Sequence, residues 1–340
     1  WCAVGETGTL GFIEGSKDGK TVMLRADIDA LEIDELTEAP YMSTVHGLMH
    51  ACGHDGHTAM LLGAAKILTT LGKDHIPGRV ELLFQPGEET TIGAETMVAN
   101  NIMDNVDCIF GEHLWADLPV GKVCLQSGLL MAAADEITIH VQGKGGHSSL
   151  PSQCVDPIVT ASAIVMNLQT IVSREFNHND SPVISVCIIK SGTRFNVIPD
   201  NAVLQGTVRH FDLKVGEKVE NSIRRICEET AKAFGATAKL KYRRGVAPVI
   251  NDASCTAIAV EAAKKLYGPD ANVLIEENMG SEDFSVYARY CPAIFAFIGM
   301  RNPEKGIVYP HHSARFDMDE NALEIGAAIY AQFALDYLEN

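Results

Sequence analysis

The chain has 340 residues, 46% of them hydrophobic, which suits two domains or one large domain with an insertion. Twenty-seven basic against forty-four acidic residues give a net charge of -17, which repels phosphate backbones and anionic surfaces and argues against nucleic acid as a partner. No uninterrupted apolar run approaches the roughly 20 residues of a membrane helix, and no basic-then-apolar segment opens the chain, so the reading is cytoplasmic with no membrane partner.

Nine cysteines, an odd number without a C-x-x-C pair, read as reduced thiols in apolar surroundings, Cys52 excepted. The chain opens at Trp1 and runs straight into a strand-like segment at residues 8–14, so leading residues are expected to be missing. From Thr21 to Ile28 a mostly apolar run reads as a buried strand with Asp27 and Asp29 at its carboxyl end. Next comes His50-Ala51-Cys52-Gly53-His54-Asp55-Gly56-His57, which holds a thiol, three imidazoles and a carboxylate, the side chains that donate electron pairs to zinc-like ions. Two close glycines argue against helix here, so the stretch reads as a ligand loop feeding a buried helix from Thr58 to Leu71, rather than as a helix start with a polar face. Arg79 to Gln85 is a second buried strand running into Pro86-Gly87-Glu88-Glu89, and Val106 to Gly111 a third, ending at Glu112-His113. Such strands, with helical or loop connections, predict a mainly parallel sheet whose ligands collect beyond the strands' carboxyl ends.

Near Ala134 the texture changes. Ile137, Ile139 and Val141 alternate with polar residues, as in a strand with one wet face. A helix from Val155 to Arg174, strands at Val183 to Ile189 and Ala202 to Phe211, a helix from Val215 to Phe234 and a strand from Ala236 to Tyr242 complete a βαββαβ order. That is the ferredoxin-like arrangement, so residues 134–245 are expected to form an inserted α+β domain, with 1–133 and 246–340 forming the α/β metal-binding domain. The second part of that domain should contain segments at Ala253 to Tyr267, Ser281 to Tyr290 and Ala293 to Ile298, then a last helix from Asn321 to Leu338.

Cys52, His54, Glu89, His113 and a histidine at 311 or 312 make five donors, too many for one tetrahedral ion that keeps a place for water. Two divalent ions sharing a bridging ligand fit better, an arrangement suited to hydrolysis. Adjacent Glu88 and Glu89 can take different jobs, one binding metal while the other moves a proton.

The strings Arg25-Ala26-Asp27-Ile28-Asp29-Ala30-Leu31, His50 to His57, Gln85 to Glu89, Gly143-Lys144-Gly145-Gly146-His147, Asn196-Val197-Ile198-Pro199, Met279 to Phe284 and His312-Ser313 resemble the M20 peptidase family, in particular its amidohydrolase branch of hippurate hydrolases, aminoacylases and indole-acetyl amino acid hydrolases. The resemblance implies a zinc-exopeptidase-like catalytic domain and an inserted dimerisation or lid domain. It further implies Cys52 bridging two divalent ions, manganese or zinc first and cobalt or nickel as alternatives, with His54 and His113 on one ion and Glu89 and His312 on the other. Glu88 would be the general base, and Asp29 the acid that orients a metal-binding histidine. His147 would serve the partner subunit's site in a homodimer, while Asn196 and Arg209 would hold the substrate's carboxylate. His54 would take over the donor role that other branches give to a histidine at position 27, and Ser152 stands where many relatives have histidine. The relatives carry helices ahead of Trp1. The implied reaction is hydrolysis of an N-acyl amino acid, with a dipeptidase or carboxypeptidase, or a metal-binding relative without turnover, as rivals. Glu282 and Asp283 have no role in this reading beyond the preference of a helix amino terminus for acids.

Overall fold

The computed structural model describes residues 1–180 and 182–340. In chain order the elements are β1 (Cys2–Val4), β2 (Gly8–Glu14), β3 (Thr21–Asp27), α1 (His54–Leu71), β4 (Arg79–Gln85), α2 (Gly93–Val98), β5 (Cys108–Pro119), β6 (Val123–Cys124), β7 (Gly128–Met131), β8 (Ala133–Gln142), β9 (Gly146–His147) and α3 (Pro157–Glu175). They continue as β10 (Val183–Ser191), β11 (Val197–Ile198), β12 (Asn201–His210), α4 (Leu213–Ala233), β13 (Thr237–Val246), β14 (Val249–Asn251), α5 (Ala253–Tyr267), β15 (Ala293–Arg301) and α6 (Asn321–Glu339). The chain divides into two compact units: Trp1–Leu130, Val249–Glu277 and Glu282–Asn340 form the first, Met131–Pro248 and Asn278–Ser281 the second.

The first unit is built on a seven-stranded sheet of order β1-β2-β4-β3-β5-β15-β6. Its four central strands β4, β3, β5 and β15 run parallel, whereas β2 and β6 pair antiparallel at either side, so the sheet is mixed. All seven residues of β3 are buried, as a central strand covered on both faces requires. Buried residues of α1, α5 and α6 complete one large core with alternate residues of β3, β4, β5 and β15. Among the described residues no helix is long and apolar enough to cross a membrane.

Two elements differ from the sequence reading, and a third takes a form it had not specified. Helix α1 begins at His54, immediately after Gly53 at φ 86°, so the ligand stretch is half loop and half helix. Gly56 does not break it: the missing side chain makes room for Leu114 and Met318, whose atoms would lie 2.5 and 2.7 Å from a Cβ there. Strand β5 continues through Glu112 and His113 to Pro119, because β15 pairs with it from Ile109 to Trp115 and, past a register shift, again at Pro119. The segment at 281–290 is a 3-10 helix, Asp283–Arg289, capped by the Glu282 carboxylate accepting from Phe284 N–H at 3.2 Å.

The second unit is a four-stranded antiparallel sheet, β10-β12-β8-β13, with α3 and α4 packed on one face. Alternation in β8 places Ile137, Ile139 and Val141 in the core and leaves Glu136, His140 and Gln142 exposed. Asp156 caps α3 by accepting from Ile158 N–H at 2.8 Å, and Asp212 caps α4 through Lys214 N–H at 2.6 Å. Strands β9 and β11 form a separate ribbon in which His147 pairs with Val197.

Candidate metal centre

In the first unit the chain delivers its donors and their neighbours from five places: the turn into α1, the end of β3, the loop after β4, the middle of β5, and the loop between β15 and α6. Two groups of donor atoms share one member. Cys52, His54 and His113 lie within 4.8 Å of one another, and so do Cys52, Glu89 and His312. Around these stand Asp27 with His54 and His57, and His54 with Glu88 and Glu89.

The histidines are told apart by what their other nitrogens do. Nδ1 of His113 donates to the Leu114 carbonyl at 2.6 Å, which leaves the lone pair of Nε2 facing Cys52 Sγ at 3.5 Å. The Leu114 amide donates to Nε2 of His57 at 2.8 Å, so the proton on that ring is at Nδ1 and is given to Asp27 at 2.5 Å. Both nitrogens of His57 are thus engaged, and the ring braces the site instead of donating to it. Nε2 of His311 donates to the Leu114 carbonyl at 2.9 Å, whereas Nε2 of His312 faces Glu89 Oε1 at 3.2 Å. Of the adjacent pair, only His312 stands among the donors. Its backbone is left-handed, φ 62°, and is held there by its N–H donating to the Ala51 carbonyl at 2.8 Å.

His54 is almost wholly buried between Asp29, 3.3 Å from Nδ1, and Asp27, 3.8 Å from Nε2. Burial lowers its proton affinity, but these two carboxylates overcome that and push it up to about 9. Burial pushes the Cys52 thiol far above its ordinary range, with the Glu89, Asp27 and Glu88 carboxylates adding to it. Both nitrogens of His54 and Oε1 of Glu89 are buried and meet their neighbours only in ion-pair contacts, with Asp29, Asp27 and His312 at 3.3, 3.8 and 3.2 Å. Buried donor atoms with poor hydrogen bonds, a thiol that burial and then the carboxylates keep protonated, and an imidazole that the carboxylates hold charged together describe a pocket of negative potential suited to divalent cations.

Asp29 does more than face His54. Its two oxygens accept from the Glu88 and Glu89 amides at 3.2 and 3.0 Å, which fixes the loop that carries both glutamates. Glu88 is buried, and burial together with the nearby Glu282, Asp283 and Asp27 carboxylates holds its carboxyl well above the usual range. Its Oε1 accepts from Asp283 N–H at 3.4 Å.

Beneath Glu88 lies a charged hub that sequence reasoning missed. Arg25, fully buried on β3, donates at 2.9 Å to each of Gln85, Asp27, Glu282 and Asp283. Asp283 further accepts from Gln85 Nε2 and from Ala94 N–H at 2.8 Å, and Tyr287 O–H donates to Gln85 Oε1 at 2.7 Å. The signal was present: an arginine inside a continuous apolar strand cannot stay unpaired, so acids had to reach it from elsewhere in the chain. Glu112, by contrast, leaves the donor cluster. Its carboxylate lies beside Gly326 of α6, and burial drives its proton affinity well up.

His147, Asn196 and Arg209 belong to the second unit. Ser149 N–H and O–H both approach Nδ1 of His147, at 3.2 and 2.8 Å. Since the amide can only donate, Nδ1 of this exposed residue accepts, which leaves the ring N–H at Nε2. Asn196 is exposed, and its backbone carbonyl accepts from Ser148 N–H at 3.3 Å. Arg209 is half-buried and donates to Ser281 Oγ at 2.6 Å.

The profile of peptidase family M20/M25/M40 matches residues 23–336. An N-acetylcysteine deacetylase of Bacillus subtilis is 39% identical over 334 residues, which span 98% of this chain and 86% of that protein. The thermostable carboxypeptidase 2 of Saccharolobus solfataricus is 40% identical over 334 residues, 97% of this chain and 84% of that protein. Among solved structures, a dinuclear metal-binding M20 peptidase of Bacillus subtilis superposes with a TM-score of 0.85 at 36% identity, covering 98% of this chain and 86% of that one. With family-wide coverage in sequence and fold, the chain belongs to peptidase family M20/M25/M40 and is a hydrolase of amide bonds.

Proposed function

We propose that this protein hydrolyses N-acyl amino acids to a carboxylate and a free amino acid with the help of two divalent cations. The observation that supports the reading is the shared membership of Cys52 in both donor groups: deprotonated on cation binding, its sulfur would serve two cations, with His54 and His113 holding one and Glu89 and His312 the other. When bound, such a cation pair supplies a nucleophilic water at neutral pH and polarises the carbonyl. Thiolate and imidazole suit zinc, while the carboxylates admit manganese, with cobalt or nickel as alternatives.

The chain's own groups do the rest. Glu88, held by Asp29 and raised in proton affinity, accepts the proton of the attacking water and returns it to the leaving amine. His57 and Asp27 brace the first donor group, and Asp29 orients His54. His147, carrying its proton at Nε2, donates to the carbonyl oxygen as charge develops there. Asn196 and Arg209 hold the substrate's carboxylate. In this reading His147 acts in a homodimer joined through the inserted domain of residues 134–245, and the protein works in the cytoplasm.

An N-acetylcysteine deacetylase among the relatives favours an acylated amino acid, whereas a carboxypeptidase among them favours a peptide with a free carboxyl end. The two substrates share the scissile amide and the terminal carboxylate, so a panel separates them: N-acetyl, N-benzoyl and indole-acetyl amino acids beside dipeptides and longer peptides, each with manganese, zinc or cobalt added to chelated protein. Hydrolysis confined to acylated amino acids is the expected result. Preference for substrates with a free amino group would establish the peptidase reading, and full turnover in exhaustively chelated protein would overturn both.

A further inference from the structure

A second sulfur cluster lies in the first unit, apart from the donor groups. Cys108 opens β5 and Cys255 stands in the first turn of α5, 147 positions away, yet their Sγ atoms are 3.2 Å apart. Both side chains are in the core, at 0% and 1% exposure. Backbone structure on each side holds them together. Cys108 is paired with Val22 of β3, and the next residue's N–H donates to the Pro292 carbonyl at 3.1 Å. Cys255 N–H donates to the capping carboxylate of Asp252 at 2.9 Å. A third thiol, the partly exposed Cys291, immediately precedes Pro292.

We propose that Cys108 and Cys255 are a redox-convertible pair, closing to a disulfide between β5 and α5 under a small disulfide oxidant and reopening with a dithiol. Bringing the sulfurs from contact to a bond of about 2.05 Å moves them together by little more than an ångström. The exchange balances without any other reagent. One protein thiolate attacks the oxidant's disulfide and releases its first thiol; the second protein sulfur then attacks the mixed disulfide and releases the other. Two protein S–H bonds are lost and one S–S bond forms, while the oxidant is reduced to two thiols that take up the protons. The hydrogen bond between the two thiols and their burial both oppose ionisation of Cys108, so the rate follows local opening of this corner of the core. A link across so long a stretch of chain restricts the unfolded ensemble, and oxidation should therefore stabilise the first unit.

The test uses the full chain with its metal content held constant. Protein is treated with 4,4'-dithiodipyridine, remaining thiols are alkylated, and the digest is mapped without reduction. A Cys108–Cys255 peptide pair is expected, with a melting temperature raised by several degrees and returned by dithiothreitol. Cys255→Ala should show neither the pair nor the redox-dependent shift. The proposal fails if the probe marks the exposed Cys2 and Cys187 but yields no joined pair, even at a sub-denaturing urea concentration that lets it reach Cys291. It also fails if the pair forms and lowers the melting temperature. The mapping of unmutated protein stands alone if the variant does not fold.

Discussion

Replacing Arg25 tests the organisation of the first unit directly. Its guanidinium bonds Asp27, Glu282 and Asp283 at 2.9 Å with side chains at most 2% exposed. Arg25→Met keeps the length and apolar contact of the stem but leaves three buried carboxylates without their cation. Removing one partner from a buried ionic cluster costs about 3–5 kcal/mol, a large share of the roughly 5–15 kcal/mol that holds a folded chain together. Arg25→Lys restores the charge but has three donors and no planar fork, so it should recover only part of the loss. The deficit should also depend on pH. Burial pushes the Glu282 carboxyl up to about 8 even though Arg25 pulls it down. A carboxyl with a raised folded pKa binds more protons folded than unfolded, so stability falls as pH rises from the unfolded value of 4.5 toward 8. Without Arg25 that pKa rises further, and the gap between wild type and Arg25→Met should be smaller at pH 5 than at pH 8. Urea unfolding followed by circular dichroism at both pH values, on chelated protein, measures it. A variant as stable as wild type at pH 8 would show that the carboxylates do not need Arg25.

Glu88→Gln should retain both metal ions by elemental analysis while losing about 10²–10⁴-fold in turnover, because an amide of the same shape cannot take up a proton; wild-type turnover would make Glu88 structural. In the second unit, burial raises Asp135, but hydrogen bonds from His210, Tyr242 and Gly245 N–H outweigh it and hold the carboxyl below 3.8. Its stabilisation is therefore complete above the unfolded pKa and lost as pH falls through the folded one. Asp135→Asn should cost about 1–3 kcal/mol at pH 7 and progressively less below pH 4, so a constant difference from pH 7 to pH 3 would refute the assignment. If His147 serves a partner subunit as proposed, mixing His147→Ala with Glu88→Gln, each expected to be nearly inactive alone, should restore activity on subunit exchange, and no recovery despite demonstrated exchange would place His147 in its own subunit's chemistry or outside catalysis.

What the sequence discloses and what it hides divide along a physical line. Strand β4 is an apolar run between punctuating residues, and its span from Arg79 to Gln85 is legible to the residue. The start of α1 is not, because the tolerance of Gly56 in a helix depends on Leu114 and Met318 filling the space of its absent side chain. The length of β5 is hidden for a similar reason: Glu112 and His113 break its apolar run, and pairing to β15 carries the strand past them. Glu282 and Asp283 look like ordinary helix-start acids until Arg25, more than 250 positions earlier, is seen to bind both. Candidate donors could be proposed from the sequence because thiol, imidazole and carboxylate chemistry is local to a side chain, though the residues alone left His311 and His312 as alternatives. Their division of labour came only as what the family resemblance implies, because residue by residue it depends on which nitrogen each ring has left over.

That division converges on one residue with no reactive side chain. The Leu114 carbonyl accepts from His113 Nδ1 and His311 Nε2, and its amide donates to His57 Nε2. One peptide position thus sets the tautomer of His113 with its lone pair toward Cys52, turns His57 toward Asp27, and holds His311 out of the donor set. It can do so because β5 runs on beyond His113 as a hydrogen-bonded strand, which keeps the Leu114 peptide rigid. Had the strand stopped at Gly111, as its apolar run suggests, the carbonyl and amide would sit in a mobile loop and the three rings would each choose their own tautomer. The extra length of β5 is therefore part of the metal site, although none of the donors except His113 lies on it.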